Sequence, residues 1–363
     1  DPATYELIRT TRTLGMFQVE SPGQRELIGK LGPRRFDDLI VDISLFRPGP
    51  VKSDMITPFL NSRHGWSRRR FIHPSLIPAL EETEGVVVFH EQVLVIVAET
   101  TGVSLAQADE VRRSMGTPQG QDDVEAWWRP AAAARGYRPE DRDRIWEVLK
   151  SFASFGFCKA HAAAFALPTF HSAWLKTHHP AAFLAGILTH DPGMYPKRLL
   201  LDDARSFGIP VLGLDVNASG DTYRVEQVEQ VERRELAVDT HGETASSLLS
   251  TESASDAVVP AWQRGCQPYG IRLSLADVKG ISAAEVARVV AGQPYADLGD
   301  FWTRARVSRP VTERLVLAGA FDSLHGMGDG GLGRRGRVTR RDLLLHVAEL
   351  ERWDRGTGAP ARR

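Results

Sequence analysis

Residues 152–167 read Phe152-Ala153-Ser154-Phe155-Gly156-Phe157-Cys158-Lys159-Ala160-His161-Ala162-Ala163-Ala164-Phe165-Ala166-Leu167. The stretch joins a helical segment on its N-terminal side to a second helix on its C-terminal side. Gly156 permits a tight bend where a side chain would clash, and Phe155 and Phe157 flank it. Lys159 and His161 then fall at the start of the following helix, where backbone N–H groups are free and the helix dipole favours an anion. A cation, an imidazole and free N–H groups together suggest a seat for phosphate. The plainer alternative is a helix-turn-helix joint carrying a surface lysine, and the chemistry alone leaves both open.

Upstream, Pro139–Phe152 predicts a helix with Ile145, Val148, Leu149 and Phe152 inward. Downstream, Pro168 predicts a kink, and Pro180 opens a further helix over Ala181–Leu188. Tyr195–Phe207 predicts another helix, ending at Gly208. Adjacent histidines such as His178 and His179 point to different faces of a helix. With His190 and no accompanying Cys or carboxylate cluster, they make no metal site.

Toward the N-terminus, Ser21, Pro22 and Gln24 give a capping-box start for a helix. Phe36–Phe46 follows as an apolar helix with Asp37, Asp38 and Asp42 expected outward. Arg47-Pro48-Gly49-Pro50 must be a rigid turn, because two prolines fix φ. Asn61–Phe71 is a loop carrying Arg63, His64, Arg68, Arg69 and Arg70, readable as a solvated face or as phosphate contacts. Val86–Phe89 predicts a short strand. Ser104 and Gln107 cap a helix with Leu105, Ala108, Val111 and Met115 on one face and Arg112 and Arg113 in the last turn, where the dipole favours cations. Trp127 and Trp128 are expected to pack within a helix.

In the second half, Val211–Leu214 and Tyr269–Leu275 predict short strands, the latter at a sheet edge. Residues 227–259 are net acidic and rich in Ser and Thr, which predicts a flexible insertion. Val278-Lys279-Gly280-Ile281-Ser282 has the form of a helix-hairpin-helix turn, which presents backbone N–H groups to a DNA phosphate. Ser282 stands where such turns usually have a second glycine, and with Glu285 it forms a capping box that opens a helix over Ala283–Val290. From 326 to 363, nine basic residues face five acidic ones. That segment reads as a partly ordered tail with a short amphipathic stretch, Leu343–Leu350.

The chain of 363 residues is long enough for two or three domains. Its formal charge of −1 argues against a surface uniformly coated for nucleic acid. Cys158 and Cys266 lie far apart with no Cys-x-x-Cys pair, which fits a reducing, cytoplasmic compartment. No apolar run approaches the ~20 residues that span a bilayer. The opening residues Asp1-Pro2-Ala3-Thr4 resemble a mid-protein position, so a piece of a longer protein is expected.

Four motifs carry a family resemblance. They are Phe17-Gln18-Val19-Glu20-Ser21, Leu45-Phe46-Arg47-Pro48-Gly49-Pro50, Arg112-Arg113-Ser114-Met115-Gly116, and the Phe155–Leu167 stretch followed by Ser172-Ala173-Trp174-Leu175-Lys176. In this order they resemble the fingers region of the alpha subunit of bacterial DNA polymerase III, a C-family polymerase, over roughly residues 1–325. The resemblance implies a mainly α fold with small β elements. A helical fingers domain (1–178) would precede a helix-hairpin-helix-containing region (179–325) and the tail. It implies nucleotide contacts from Arg112, Arg113, Gly156, Phe157, Lys159 and His161, and DNA contacts from Arg47, Lys279, Gly280, Ile281 and Ser282. It also implies DNA primer-template and deoxynucleoside triphosphates as substrates, with a sliding clamp and other replisome subunits as partners. The Mg2+ of such enzymes is held by palm aspartates, expected upstream of Asp1, and no Asp-x-Asp appears here on a predicted strand. Asp202-Asp203 reads as an exposed helix pair. No catalytic residue and no metal ligand is therefore expected in this chain, which alone should not polymerise DNA. Lys159 favours a replicative form over an error-prone one, whereas the acidic insertion leaves an accessory error-prone copy open. A non-catalytic helix-hairpin-helix DNA-binding module is the competing class, and it would be indifferent to nucleotide.

Overall fold

The computed structural model describes residues 1–46, 55–153, 157–228, 262, 267–327 and 338–357. The chain divides into two units, Asp1–Trp174 and Leu175–Arg363. Arg47, Gly156 and nearly all of the acidic insertion lie outside the described residues.

The first unit is helical. It begins with α1 (Pro2–Arg9), α2 (Pro22–Leu31), α3 (Phe36–Leu45) and α4 (Ile56–Arg63). Ser21 caps α2 by accepting the Gln24 N–H, as its position before Pro22 predicts. Three short helical turns (Pro74–Leu76, Ile77–Leu80 and Glu81–Thr83) lead to α5 (His90–Thr101), α6 (Leu105–Ser114), α7 (Pro118–Ala134), α8 (Pro139–Ala153) and α9 (Lys159–His178). The helix α9 runs through Pro168 without a break. Leu76, Val87, Ile96, Trp128, Trp146 and Phe152 belong to one buried cluster. Within it, Trp128 donates to the Thr100 hydroxyl at 2.9 Å and packs on Trp146. The expected strand at Val86–Phe89 is instead irregular backbone with a single bridge, Phe89 to Phe157, and among the described residues no second strand lies beside it.

The helix α3 departs from expectation. Asp38 and Asp42 do not face outward; both are buried. Asp38 is compensated by Arg63, by a hydrogen bond at 2.9 Å and a second contact at 2.8 Å. Asp42 is fully buried, and among the described residues neither carboxylate oxygen has a partner. Burial therefore pushes its pKa well above the usual carboxylate range. The cause is packing: α3 is buried from Asp38 to Leu45, and of its three aspartates only Asp37 is exposed as expected.

The second unit carries α10 (Pro180–His190), α11 (Lys197–Ser206) and a small sheet of β1 (Val211–Leu212), β2 (Arg224–Gln227) and β3 (Tyr269–Arg272). The strand order is β1-β3-β2, with β3 parallel to β1 and antiparallel to β2. Tyr269–Arg272 is thus the central strand, not an edge. Its second neighbour, β2, ends at Gln227, the residue at which the acidic insertion was expected to begin. The sheet is followed by α12 (Ala283–Gly292), α13 (Leu298–Ala305), α14 (Arg309–Leu317) and α15 (Arg340–Gly356). Val289, Phe301, Leu315 and Phe321 form the core here, and Leu343 and Val347 of α15 enter it. Asp202 and Asp203 divide their roles. Asp202 pairs with Arg205 on the surface, whereas Asp203 meets the fully buried ammonium of Lys176 at 2.7 Å.

Candidate functional site

Two helix N-termini were marked by the sequence as seats for phosphate, and each already holds a carboxylate of the protein. At the first, Phe157 pairs with Phe89, and the His90 N–H donates to the Phe157 carbonyl at 2.9 Å. This sets the start of α9 against the start of α5. Glu91, in the first turn of α5, then accepts the Lys159 N–H with both oxygens, at 3.0 and 2.9 Å, and a weak bond from the Cys158 thiol. The N-terminus of α9 is therefore not free, contrary to the expectation. Burial alone would raise the Glu91 pKa, but the hydrogen bonds, led by that from Lys159, outweigh it and hold the carboxyl below the ordinary glutamate value.

The side chains around this joint are also paired. The Lys159 ammonium meets Glu82 at 2.6 Å and lies 5.4 Å from the centre of the Phe89 ring. It borders a cavity of about 220 Å3 floored by Ile40, Val41 and Phe89 and rimmed by Arg35, Asp37 and Glu82. His161 is exposed. Its ring packs edge-on against Phe157 and lies 4.1 Å from the centre of Phe165, which in turn contacts Phe17. The capping box at Ser104 and Gln107 forms as expected, and α6 packs back along α5. That returns its last turn to the first turn of α5. Arg112 and Arg113 both pair with Asp109, at 2.9 and 2.6 Å. Arg112 also lies close enough to His90 that, after burial, its charge is the next cause of that imidazole's lowered pKa.

The backbones that carry Arg112, Lys159 and His161 thus meet near the start of α5; of the three, Lys159 borders the cavity described among these residues. Gly156 lies outside the described residues. Glu91 and Glu82 were missed as members of the site. The Glu91-Gln92 pair directly after the apolar run 86–89 was a usable signal for the first. Nothing local marked Glu82, which lies 77 residues from its partner.

At the second terminus, Gly280 has φ +82°. A Cβ there would stand 2.7 Å from the Arg314 guanidinium, which itself donates to the Lys279 carbonyl at 2.5 Å. Glycine is therefore favoured by conformation, while the close Arg314 guanidinium is the end of a flexible side chain. Ile281 N–H closes the turn on the Val278 carbonyl, and Ser282 caps α12. Glu285 accepts the Ser282 N–H at 2.8 Å and, with its other oxygen, the Ser308 N–H ahead of α14 at 2.8 Å. Burial works against this carboxylate as well, but the bonds from Ser308 and Ser282 keep its pKa lowered. Lys279, Gly280 and Ser282 remain exposed at the tip. Arg47 lies outside the described residues.

The chain thus comprises a helical unit and a unit that contains a glycine hairpin between helical elements. Residues 1–133 match the bacterial DNA polymerase III alpha subunit finger domain, and residues 208–328 match a helix-hairpin-helix motif. Over the first of these stretches the chain is similar to the bacterial DNA polymerase III alpha subunit family. It is 36% identical to the error-prone DNA polymerase of Symbiobacterium thermophilum over 99% of its own length and 32% of that protein. It is 35% identical to that of Nocardia farcinica, over 90% of the chain and 26% of that protein. It is 35% identical to that of Xanthomonas campestris pv. campestris, over 97% of the chain and 31% of that protein. The chain spans about a third of the length of these relatives.

Proposed function

We propose that this chain supplies the incoming-nucleotide and DNA-backbone contacts of a bacterial DNA-directed DNA polymerase of the error-prone type. The observation that carries the reading is the joint at Lys159. The first residue of α9 presents an ammonium at the surface, and its backbone is fixed by Glu91 beside the last turn of α6, where Arg112 and Arg113 stand. Three cations held on short, packed elements suit a triphosphate, whose charge they would neutralise as it shifts to the leaving group. His161, braced by Phe157 and Phe165, would orient that triphosphate, and Phe157 with Gly156 would flank the nascent base pair. Lys279, Gly280, Ile281 and Ser282 would approach the backbone of the duplex, as would Arg47. The names of the three relatives favour the error-prone role, against the weight that Lys159 lends to a replicative one.

The family uses divalent metal, Mg2+ in our reading. Among the described residues no group of three or more His, Cys, Asp or Glu could hold such an ion, so no step is assigned to it here. Among those residues no helix is long and apolar enough to cross a membrane. The cytoplasm, with primer-template DNA, deoxynucleoside triphosphates and a sliding clamp with other replisome subunits as partners, follows from the family alone.

The test is a titration of deoxynucleoside triphosphate in primer extension by the polymerase that carries this chain, comparing wild type with the double variant Arg112→Ala, Arg113→Ala. A rise of about tenfold or more in the apparent dissociation constant for nucleotide, with DNA binding unchanged, is expected. An unchanged nucleotide dependence together with salt-sensitive DNA binding would favour the bare DNA-binding module instead.

A further inference from the structure

We propose that the loop after α4 is a binding site for single-stranded DNA, in which Trp66 stacks on an unpaired base and Arg68 and Arg70 take the neighbouring phosphates. Trp66 is 74% exposed. A lone exposed aromatic needs no explanation, but this one is held in place. Its ring stacks on His64, with centres 4.7 Å apart and planes 27° from parallel, and His64 is itself fixed by a 2.6 Å bond to the Lys30 carbonyl. The Trp66 and Ser67 N–H groups both donate to the Asn61 carbonyl, at 2.8 and 3.1 Å. Gly65, at φ +73°, permits that tight return.

The two ends of the loop are pinned as well. Arg63 donates to the Leu31 carbonyl at 2.9 Å. Glu84 takes both the Ser62 hydroxyl and the Arg69 guanidinium, at 2.9 and 2.7 Å. The Arg70 carbonyl lies so close to Gly85 that a Cβ there would stand 2.2 Å from it. The loop therefore spends many contacts on a conformation whose outcome is an indole face in water. Arg68 and Arg70 are exposed and enter no ion pair or side-chain hydrogen bond among the described residues. From Met55 to Leu80 the sequence contains no Asp or Glu, and the carboxylates that reach the loop, Asp38 and Glu84, pair with Arg63 and Arg69.

A preset aromatic face flanked by uncommitted guanidinium groups is the recognition chemistry of single-stranded nucleic acid. A base in a duplex offers no free face, so stacking requires an unpaired one. The choice of DNA over RNA rests on the polymerase reading; the stacking argument does not, and the test uses neither nucleotide nor primer extension.

The experiment is fluorescence anisotropy of a labelled oligothymidylate with the 363-residue chain, alongside a blunt duplex of equal length, over a salt series. For Trp66→Ala, the dissociation constant for the single strand should rise about 5- to 100-fold. Duplex binding and thermal stability should be unchanged, and Trp66→Phe should restore most of the affinity. For Arg68→Gln with Arg70→Gln, the slope of log affinity against log salt should fall by about 1.4, two single-strand phosphates' worth. This second variant decides the matter even if Trp66→Ala fails to fold. Oligothymidylate affinity unchanged in Trp66→Ala would overturn the proposal, as would equal losses for single strand and duplex. So would a Trp66-dependent loss for poly-glutamate as large as that for the oligonucleotide, which would mark a site for acidic protein. A positive result here combined with unaltered nucleotide dependence at Arg112 and Arg113 would break only the polymerase reading.

Discussion

The start of α9 and the start of α12 are closed by the same chemistry reached in different ways. At α12 the carboxylate is local: Glu285 lies three residues from Ser282, and only its second bond, to Ser308, is long in sequence. At α9 the carboxylate comes from another helix, as Glu91 lies 68 residues from Lys159. The local cap stabilises one helix start whatever else happens. The remote cap ties the position of Lys159 to the start of α5, and through α5 to the turn that carries Arg112 and Arg113. A helix N-terminus satisfied from afar is a positioning device as well as a cap, and that is the arrangement a multi-residue anion site needs.

This contrast can be broken by deletion. Glu285→Ala removes an almost fully buried carboxylate that serves two helix starts, and should cost about 3 kcal/mol, since bonds to charged groups are the stronger ones. It should leave nucleotide affinity unchanged. Glu91→Ala should cost about 2 kcal/mol and, in addition, weaken nucleotide binding. Denaturant midpoints and a nucleotide titration on both variants check the pair; equal effects on nucleotide binding would remove the distinction. Ser282→Ala, which takes only the hydroxyl from the α12 cap, should cost about 1 kcal/mol in the same unfolding assay.

The pH dependence sharpens the comparison from another side. Glu91 and Glu285 have lowered folded pKa values. Their support is therefore complete above the unfolded glutamate value of ~4.3 and is lost as pH falls through the lowered values. Asp42 has the opposite sign. Its folded pKa is raised by burial, so its effect is absent below the unfolded aspartate value of ~3.9 and destabilises increasingly as pH rises toward the raised value. Asp42→Asn should consequently raise the melting temperature at pH 7.5 and change it little at pH 4. A variant less stable at both pH values would show that the carboxylate has a partner in the folded chain.

What the sequence disclosed follows the same division between near and far. Capping residues at Ser21, Ser104 and Ser282 and the glycine at 280 are short-range signals, and each is realised in the fold; the helix opened by Ser104 forms too, with Ala108 and Met115 buried but Leu105 exposed. The burial of Asp42 was not legible. Three aspartates in an apolar helix suggest a polar face, and only the packing of α3 from Asp38 to Leu45 denies one to Asp38 and Asp42, while Asp37 stays exposed. The central place of Tyr269–Arg272 in its sheet was hidden because both partner strands are very short and distant. Glu91 and Glu82 were hidden as partners of Lys159 by separations of 68 and 77 residues. Trp66 was passed over because only the tertiary pinning of its loop distinguishes it from an ordinary surface residue.

The central claim is that Lys159 acts on the charge of a nucleotide triphosphate. Single-turnover incorporation across a nucleotide series, in the polymerase that carries this chain and in its Lys159→Ala variant, tests it directly. Loss of one preorganised cation should slow incorporation or weaken nucleotide affinity by on the order of a hundredfold or more, with primer-template binding nearly unchanged. Equal rates and equal nucleotide affinity in the two enzymes would contradict it.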